Sequence, residues 1–313
     1  MSFIDSHCHV LGPKDDASFV CTAAEATGVV NINYAEDGNA ATLAEHWNAI
    51  SMRMGLADHV RMWCVAGIPG LDYFRWPELT RLSFLQNLRC KLNLAHVIGV
   101  KIWKDVGMVA KDREGAYAMP DDPFVDAIID VAQSVEKAVF LHLGDPIDAW
   151  LPEEQRRPDA RKYYHSHPQF DMTQVVGAPT HQQLMDARER LIARWPRVRF
   201  VVCHLGYFPC ELRDASEFLV RHQNVWMDTA GRLATLRSVE QSECKRFFEE
   251  HCESLMFGTD WTPSGDGAVI RSRGISRYHE WREFFESTLS LSSRCLNWLY
   301  TQSFEAFLHH CGE

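Results

Sequence analysis

Eight short apolar runs recur along this chain, and His9, His142, His204 and Asp260 stand at or within two residues of the ends of four of them. The runs are Phe3 to His9, Val29 to Tyr34, Met62 to Ile68, Val97 to Trp103, Ala138 to Gly144, Arg199 to Leu205, Val225 to Thr229 and Leu255 to Asp260. Each reads as a parallel strand buried on both faces, because its apolar stretch is continuous where a strand with one wet face would alternate. Helical periodicity fills the intervals. Asp121-Asp122-Pro123 precedes the series Phe124, Ile128, Val131 and Val135, and Thr180 with Gln183 makes a capping box ahead of Leu184, Ala187, Leu191 and Ile192. Strand and helix alternating eight times predict an α/β fold, a (β/α)8 TIM barrel formed by residues 1–313 as a single domain. An extra C-terminal helix near Trp298 to Leu308 is expected to cover the barrel's outside.

Bulk properties narrow the function classes. A chain of 313 residues with 46% hydrophobic composition can bury a large core, and no Pro/Gly/Ser-rich linker divides it. The formal charge of -10 repels phosphate backbones and acidic lipid, which leaves a small molecule, and no nucleic acid or membrane, as the expected partner. No run of eighteen apolar residues occurs and Met1-Ser2-Phe3 leads straight into the first strand, so a cytoplasmic protein is expected. The ten cysteines, at 8, 21, 64, 90, 203, 210, 244, 252, 295 and 311, form no CxxC pair and read as free thiols. A homodimer is the base-rate expectation for such a barrel.

Parallel strands of a barrel all end at one mouth, so groups that terminate them meet there. His7 and His9 alternate correctly for both imidazoles to leave the strand on one side, with Asp5 on the same face. His142, His204 and Asp260 end the fifth, sixth and eighth runs. Any one of these histidines alone would be read as a hydrogen-bonded core residue. Together they form the constellation of a metallohydrolase site, neutral imidazole being the commonest metal ligand. A second His-x-His, His165-Ser166-His167, lies between Tyr163, Tyr164 and Pro168 in a stretch read as loop, and at most lines the pocket. Asp260 precedes Thr262-Pro263-Ser264-Gly265, a loop signal, so it is not read as a helix cap.

The order His-x-His, His, His, Asp on strands one, five, six and eight resembles the amidohydrolase superfamily of metal-dependent barrels. Gly99-Val100-Lys101-Ile102-Trp103-Lys104, Leu141-His142-Leu143-Gly144-Asp145-Pro146, Cys203-His204-Leu205-Gly206, Asn224-Val225-Trp226-Met227-Asp228-Thr229 and Phe257-Gly258-Thr259-Asp260 are similar to the branch of metal-dependent decarboxylases and lactonases. The resemblance implies that His7, His9, His142 and Asp260 hold one divalent ion, zinc or else manganese. His204 would stand beside it as acid or base, and Asp260 would shuttle the proton of a metal-activated water. Lys101 occupies the place where binuclear members carry a carboxylated lysine, so a second ion is expected only with that modification. As a plain cation Lys101 would instead hold a substrate carboxylate or pair with Asp260. Lys104 reads as a loop charge.

The activity expected is hydrolysis of a small lactone, amide or ester bearing a carboxylate or several hydroxyls. Non-oxidative decarboxylation is the alternative, since it needs the same ligands, and a non-catalytic binding protein on the same barrel is the third reading. Arg232, Trp103, Trp261 and Arg161 are expected to bind substrate, Arg232 by gripping a carboxylate. Arg156, Arg157, Arg271 and Arg273 read individually as surface charges. Asp145 and Asp228 would orient ligands from behind or cap turns. The long connections Asp145 to Pro179 and Trp261 to Ser276 are expected to be specificity loops.

Overall fold

Eight parallel strands form one sheet in chain order: β1 (Phe3–Cys8), β2 (Ala26–Ile32), β3 (Arg61–Gly67), β4 (Val97–Ile102), β5 (Ala138–Leu141), β6 (Phe200–Val202), β7 (Val225–Asp228) and β8 (Leu255–Met256). The computed structural model describes residues 1–9, 25–32, 60–68, 72–208, 212–262 and 267–309. Residues 33 and 34 of the second expected strand, and Cys21, Cys210 and Cys311, lie outside them; the other seven cysteines are free thiols. Backbone bonds close the ring between β1 and the segment that follows β8. Ser6 N donates to Phe257 O (2.8 Å), Asp260 N to His7 O (2.8 Å) and His9 N to Trp261 O (2.7 Å). Asp260 is thereby fixed opposite His7 and His9 by main chain alone.

Neighbouring residues along each strand go to different cores, as the two-residue period requires. One core includes Val29, Cys64, Val139, Phe200 and Leu255 with the apolar faces of the surrounding helices. The other gathers Ile4, Val30, Val65, Phe140, Val201, Trp226 and Met256 inside the ring. An eight-stranded barrel leaves an interior just wide enough for side chains, and here two more enter it. The C-terminal segment runs through α8 (Ser293–Asn297) and a wider turn (Trp298–Gln302) into α9 (Ser303–His309). Phe307 of α9 packs on Phe140 and Trp226 (ring centroids 6.0 and 5.4 Å), and Phe304 on Trp63 (4.8 Å). Arg199, just before β6, lies over the Phe307 ring and donates to its carbonyl. The expected outer helix therefore plugs the end of the barrel where the strands begin, opposite the mouth.

On the outside, α1 (Glu78–Leu92) is followed by α2 (Pro123–Ser134), which buries Phe124, Ile128 and Val131 and is capped by Asp122, whose carboxylate accepts from Phe124 N (2.7 Å). The segment expected as a long fifth loop contains α3 (Pro158–Ser166), so His165 is helical and His167 closes that helix. Its polar run Arg157 to Lys162 hid the pattern; Ala160 and Tyr164 are its buried face. Next, α4 (His181–Arg194) begins on the predicted capping box, with Gln183 N to Thr180 Oγ1 at 3.1 Å and Thr180 N to Gln183 Oε1 at 2.8 Å. After α5 (Leu212–Arg221) and α6 (Gln241–His251) comes α7 (Gly267–Arg282), which occupies half of the second expected loop and buries Tyr278 and Trp281. No helix among the described residues is long and apolar enough to cross a membrane.

Gly99 sits where β4 meets β5, and a Cβ there would fall 2.6 Å from the Ala138 carbonyl oxygen and 2.9 Å from the Phe140 ring. Gly99→Ala is expected to cost about 1–3 kcal/mol, the usual range for overpacking a filled core. Urea unfolding would read it, and an unchanged midpoint would mean that the interior is looser than these distances imply.

Candidate metal centre and active site

Three side chains converge at the mouth where β1 meets the end of β8. His7 is fully buried and its Nδ1 donates to Asp228 Oδ2 (2.8 Å), so the lone pair lies on Nε2. That nitrogen is buried without a hydrogen-bond partner, 3.7 Å from Asp260 Oδ1. His9 repeats the arrangement: its Nδ1 donates to the Ile32 carbonyl, and its Nε2 stands 3.2 Å from the same Asp260 oxygen. Each imidazole is locked from behind with one lone pair presented forward, as metal-bound histidines are. Ligand atoms of His7, His9 and Asp260 all lie within 4.8 Å of one another. Two nitrogens and a carboxylate oxygen, with one nitrogen left as a buried orphan, fit a divalent ion such as zinc or manganese.

Asp228 is the scaffold of this cluster. Its Oδ2 takes the His7 proton while Oδ1 accepts from His204 N (2.8 Å) and Ala230 N (3.1 Å). Burial pushes its carboxyl pKa up, but the pairing with His7 and the charges of His204 and Lys101 outweigh that and hold it below the ordinary range. Asp260 is also held low: burial acts upward, and the adjoining His9, His204 and His7 imidazoles act downward more strongly. Asp5, the third residue of the first motif, is not among the converging groups. It accepts from His7 N, Thr259 N, Thr259 Oγ1 and Tyr278 OH, tying β1 to the end of β8, and burial raises its pKa to about 6.

His142 and His204 stand beside the three. Their rings are 4.3 Å apart and His142 Nδ1 lies 3.3 Å from His204 Nε2. His142 Nε2 is buried without a hydrogen-bond partner, 3.9 Å from Asp145 Oδ1, and His142 is absent from the group gathered within 4.8 Å. Of the four expected ligands, three are thus brought together, and the fourth reaches His204 and Asp145. His204 Nδ1 donates to Ala230 O (2.9 Å), which leaves Nε2 as a base; burial first, then the neighbouring His7 imidazole, pulls its pKa down to about 3. It follows β6 on four successive left-handed residues, His204, Leu205, Gly206 and Tyr207, with φ of 59°, 51°, 71° and 49°. Left-handed backbone costs a non-glycine residue roughly 1–2 kcal/mol, and strain of this kind concentrates at functional sites.

The remaining expected residues separate into near and far. Lys101 is fully buried, with Nζ 2.8 Å from Cys203 Sγ and 5.1 Å from the Trp103 ring centroid. Trp103 also stacks on His9 (6.1 Å, 29°) and tilts against His142 (6.1 Å). Arg232 lies 5.2 Å over the Tyr207 ring, which itself stacks on His204 (5.0 Å, 25°). Trp261 does not face the cleft: it belongs to the core beneath the helices, 6.4 Å from Tyr278, because residue 261 still pairs with β1. Arg161 is exposed and donates to the carbonyls of Arg156 (3.0 Å) and Glu154 (3.1 Å), touching none of the site residues. Arg156 grips Asp171, Arg157 grips Asp148, and Arg271 and Arg273 are exposed on α7.

Two features escaped the sequence. Lys104 is buried, donates to both Asp145 oxygens (2.8 and 2.7 Å) and to Tyr163 OH (2.6 Å), and lies 3.9 Å over the Phe170 ring, so it is no loop charge. Tyr207 lies against His204 and His142 together. Neither carries a local signal, since both contacts depend on chain brought from other strands.

The family model described as amidohydrolase matches residues 4–269. No curated protein matches the sequence. Among solved structures, the chain is similar to a dihydroxybenzoic acid decarboxylase from a Polaromonas species, with bound manganese and the inhibitor 2-nitroresorcinol (12% identity, 98% of this chain and 96% of that one, TM-score 0.55). It is also similar to 4-oxalomesaconate hydratase from Rhodopseudomonas palustris (12%, 98% and 96%, TM-score 0.57) and to 5-carboxyvanillate decarboxylase from Sphingomonas paucimobilis (13%, 93% and 81%, TM-score 0.52). At such identities the likeness is one of fold.

Proposed function

The chain belongs to the amidohydrolase family, and on that premise we propose that it is a metal-dependent hydrolase of a small carboxylated or polyhydroxylated lactone, amide or ester. One divalent ion, zinc or manganese, would be held by His7, His9 and Asp260, with His142 as the fourth ligand. The observation that carries this reading is the openness of Asp260. Its side chain is 35% exposed, whereas those of His7 and His9 beside it are 0% and 4% exposed. An ionised carboxylate adjoining the ligand atoms yet open to the cleft is placed to take a proton from water attacking a carbonyl. When bound, the ion supplies Lewis acidity that polarises the carbonyl and brings water ionisation within reach of neutral pH. The proton that Asp260 takes from water would pass to the leaving oxygen or nitrogen as its bond to the carbonyl carbon breaks, and His204 Nε2, unprotonated, would accept a hydrogen bond from the attacking water. Arg232 binds the substrate carboxylate, and Lys101, buried against Cys203, would add positive potential to the site as an unmodified ammonium.

Decarboxylation is the second reading, favoured by the decarboxylases among the similar structures. The same ion and arginine would then hold a carboxylate and its neighbouring hydroxyl. Incubating zinc- or manganese-loaded protein with panels of lactones and hydroxybenzoates separates the two. Hydrolysis predicts one new carboxylate per turnover and no carbon dioxide, and gas release without ring opening reassigns the chain to the lyases. Exhaustive chelation is expected to abolish either activity, with recovery on adding about one equivalent of metal. Activity that survives chelation would remove the metal from the account.

A further inference from the structure

Arg188, near the middle of α4, is a buried cation with no carboxylate partner among the described residues. It is 1% exposed, and its guanidinium lies between the rings of Phe208 (4.7 Å) and Phe218 (5.2 Å). Nη1 donates to the carbonyl of Gly206 (2.6 Å), and Nε has no partner. Glu189, the adjacent residue, is engaged by Arg221 and His222 (2.8 and 3.3 Å). Withdrawing an unpaired charge from water is among the costliest choices a fold can make, and an apolar side chain of similar length would fill the same space. Packing therefore does not account for a guanidinium here.

The carbonyl it grips does. Gly206 belongs to the left-handed turn from His204 to Tyr207, the segment that aims the His204 imidazole and stacks Tyr207 upon it. A peptide unit of a strained turn is thus tied to α4 by a buried guanidinium that lies outside the group of converging side chains. A Cβ at Gly206 would meet the Phe208 ring at 2.6 Å and Arg188 Nη1 at 3.3 Å, so the brace sits flush against the backbone it holds.

We infer that Arg188 is a positioning residue, which holds the turn 204–207 through the Gly206 carbonyl and so sets where His204 Nε2 and the Tyr207 ring stand. The inference rests on the proposed catalytic role of His204. Arg188→Met and Arg188→Lys, made in the full chain and loaded with metal, test it. The methionine variant is expected to bind metal at parental stoichiometry and to melt no lower than the parent, because an uncompensated charge is replaced by apolar volume. Its kcat is expected to fall about 100-fold with KM within about twofold, the scale of a one-ångström misplacement. Lysine, which keeps the cation that can meet the carbonyl, is expected to recover about tenfold of that loss. In crystals of the methionine variant the turn leaves the left-handed region and the 3.3 Å separation of His204 Nε2 from His142 Nδ1 lengthens.

A methionine variant that melts well below the parent, with activity tracking the folded fraction, assigns Arg188 a structural role and overturns the inference. So does a crystal structure of the methionine variant, well folded and with impaired turnover, in which residues 204–207 are unchanged. Should the parent turn over no substrate of either panel, the function reading fails separately, and the crystallographic comparison still decides the role of Arg188.

Discussion

Asp260→Asn is expected to lower kcat/KM by about 10³-fold, within the range assigned to a general base, while metal content falls far less. Asparagine keeps a carbonyl oxygen where Asp260 Oδ1 faces His7 and His9, and main-chain bonds from Asp260 to His7 and from Trp261 to His9 keep the segment in place. What it loses is proton affinity at the one open group of the cluster. Kinetics and metal analysis on the same preparation read both effects. Activity and metal falling in parallel would make Asp260 only a ligand, and undiminished activity would remove it from the chemistry.

The second large effect is expected at Asp228. Its two oxygens satisfy His7 Nδ1, His204 N and Ala230 N, three donors in a buried site. Asp228→Ala leaves all three without an acceptor, at roughly 1–3 kcal/mol each, and the melting temperature should fall accordingly. Asp228→Asn is more instructive. One oxygen can still serve the two backbone donors, but an amide group now opposes His7 Nδ1–H and favours the tautomer protonated on Nε2. Metal affinity is expected to drop about 10- to 100-fold, the usual effect of losing such a partner, with a smaller change in stability than in the alanine variant. Because its partners hold the Asp228 carboxyl below the ordinary value of about 3.9, the stability it contributes is present above that pH and fades as pH falls through it. The gap between parent and alanine variant should therefore narrow in acid. Chelator competition and thermal melts across pH check these expectations, and an asparagine variant with parental affinity would contradict the tautomer argument.

The barrel was legible because its signal is repeated: continuous apolar strands such as Val97–Ile102 and Ala138–Leu141 alternate with capped amphipathic helices such as Pro123–Ser134. The histidines gathered at the mouth were legible for a related reason, since a strand end in this topology has only one place to go. What failed was anything set by contact across the chain. Trp261 follows a site residue in sequence, yet pairing with β1 sends it to the core. The helix Ser303–His309 has one apolar face, and nothing local says whether that face enters a barrel or lies upon it. Lys104 and Asp145 meet only because β4 and β5 are neighbours, so a charge at the end of one and an acid beyond the other gave no hint of a buried pair. Polar stretches such as Pro158–Ser166 hide short helices whose few apolar residues serve a local cluster.

Anomalous diffraction from crystals of manganese- or zinc-loaded protein tests the central claim most directly. A single strong peak is expected within about 2.0–2.2 Å of His7 Nε2, His9 Nε2 and Asp260 Oδ1. A metal peak bonded to none of these atoms, or an active crystal with no peak at the mouth of the barrel, would contradict it.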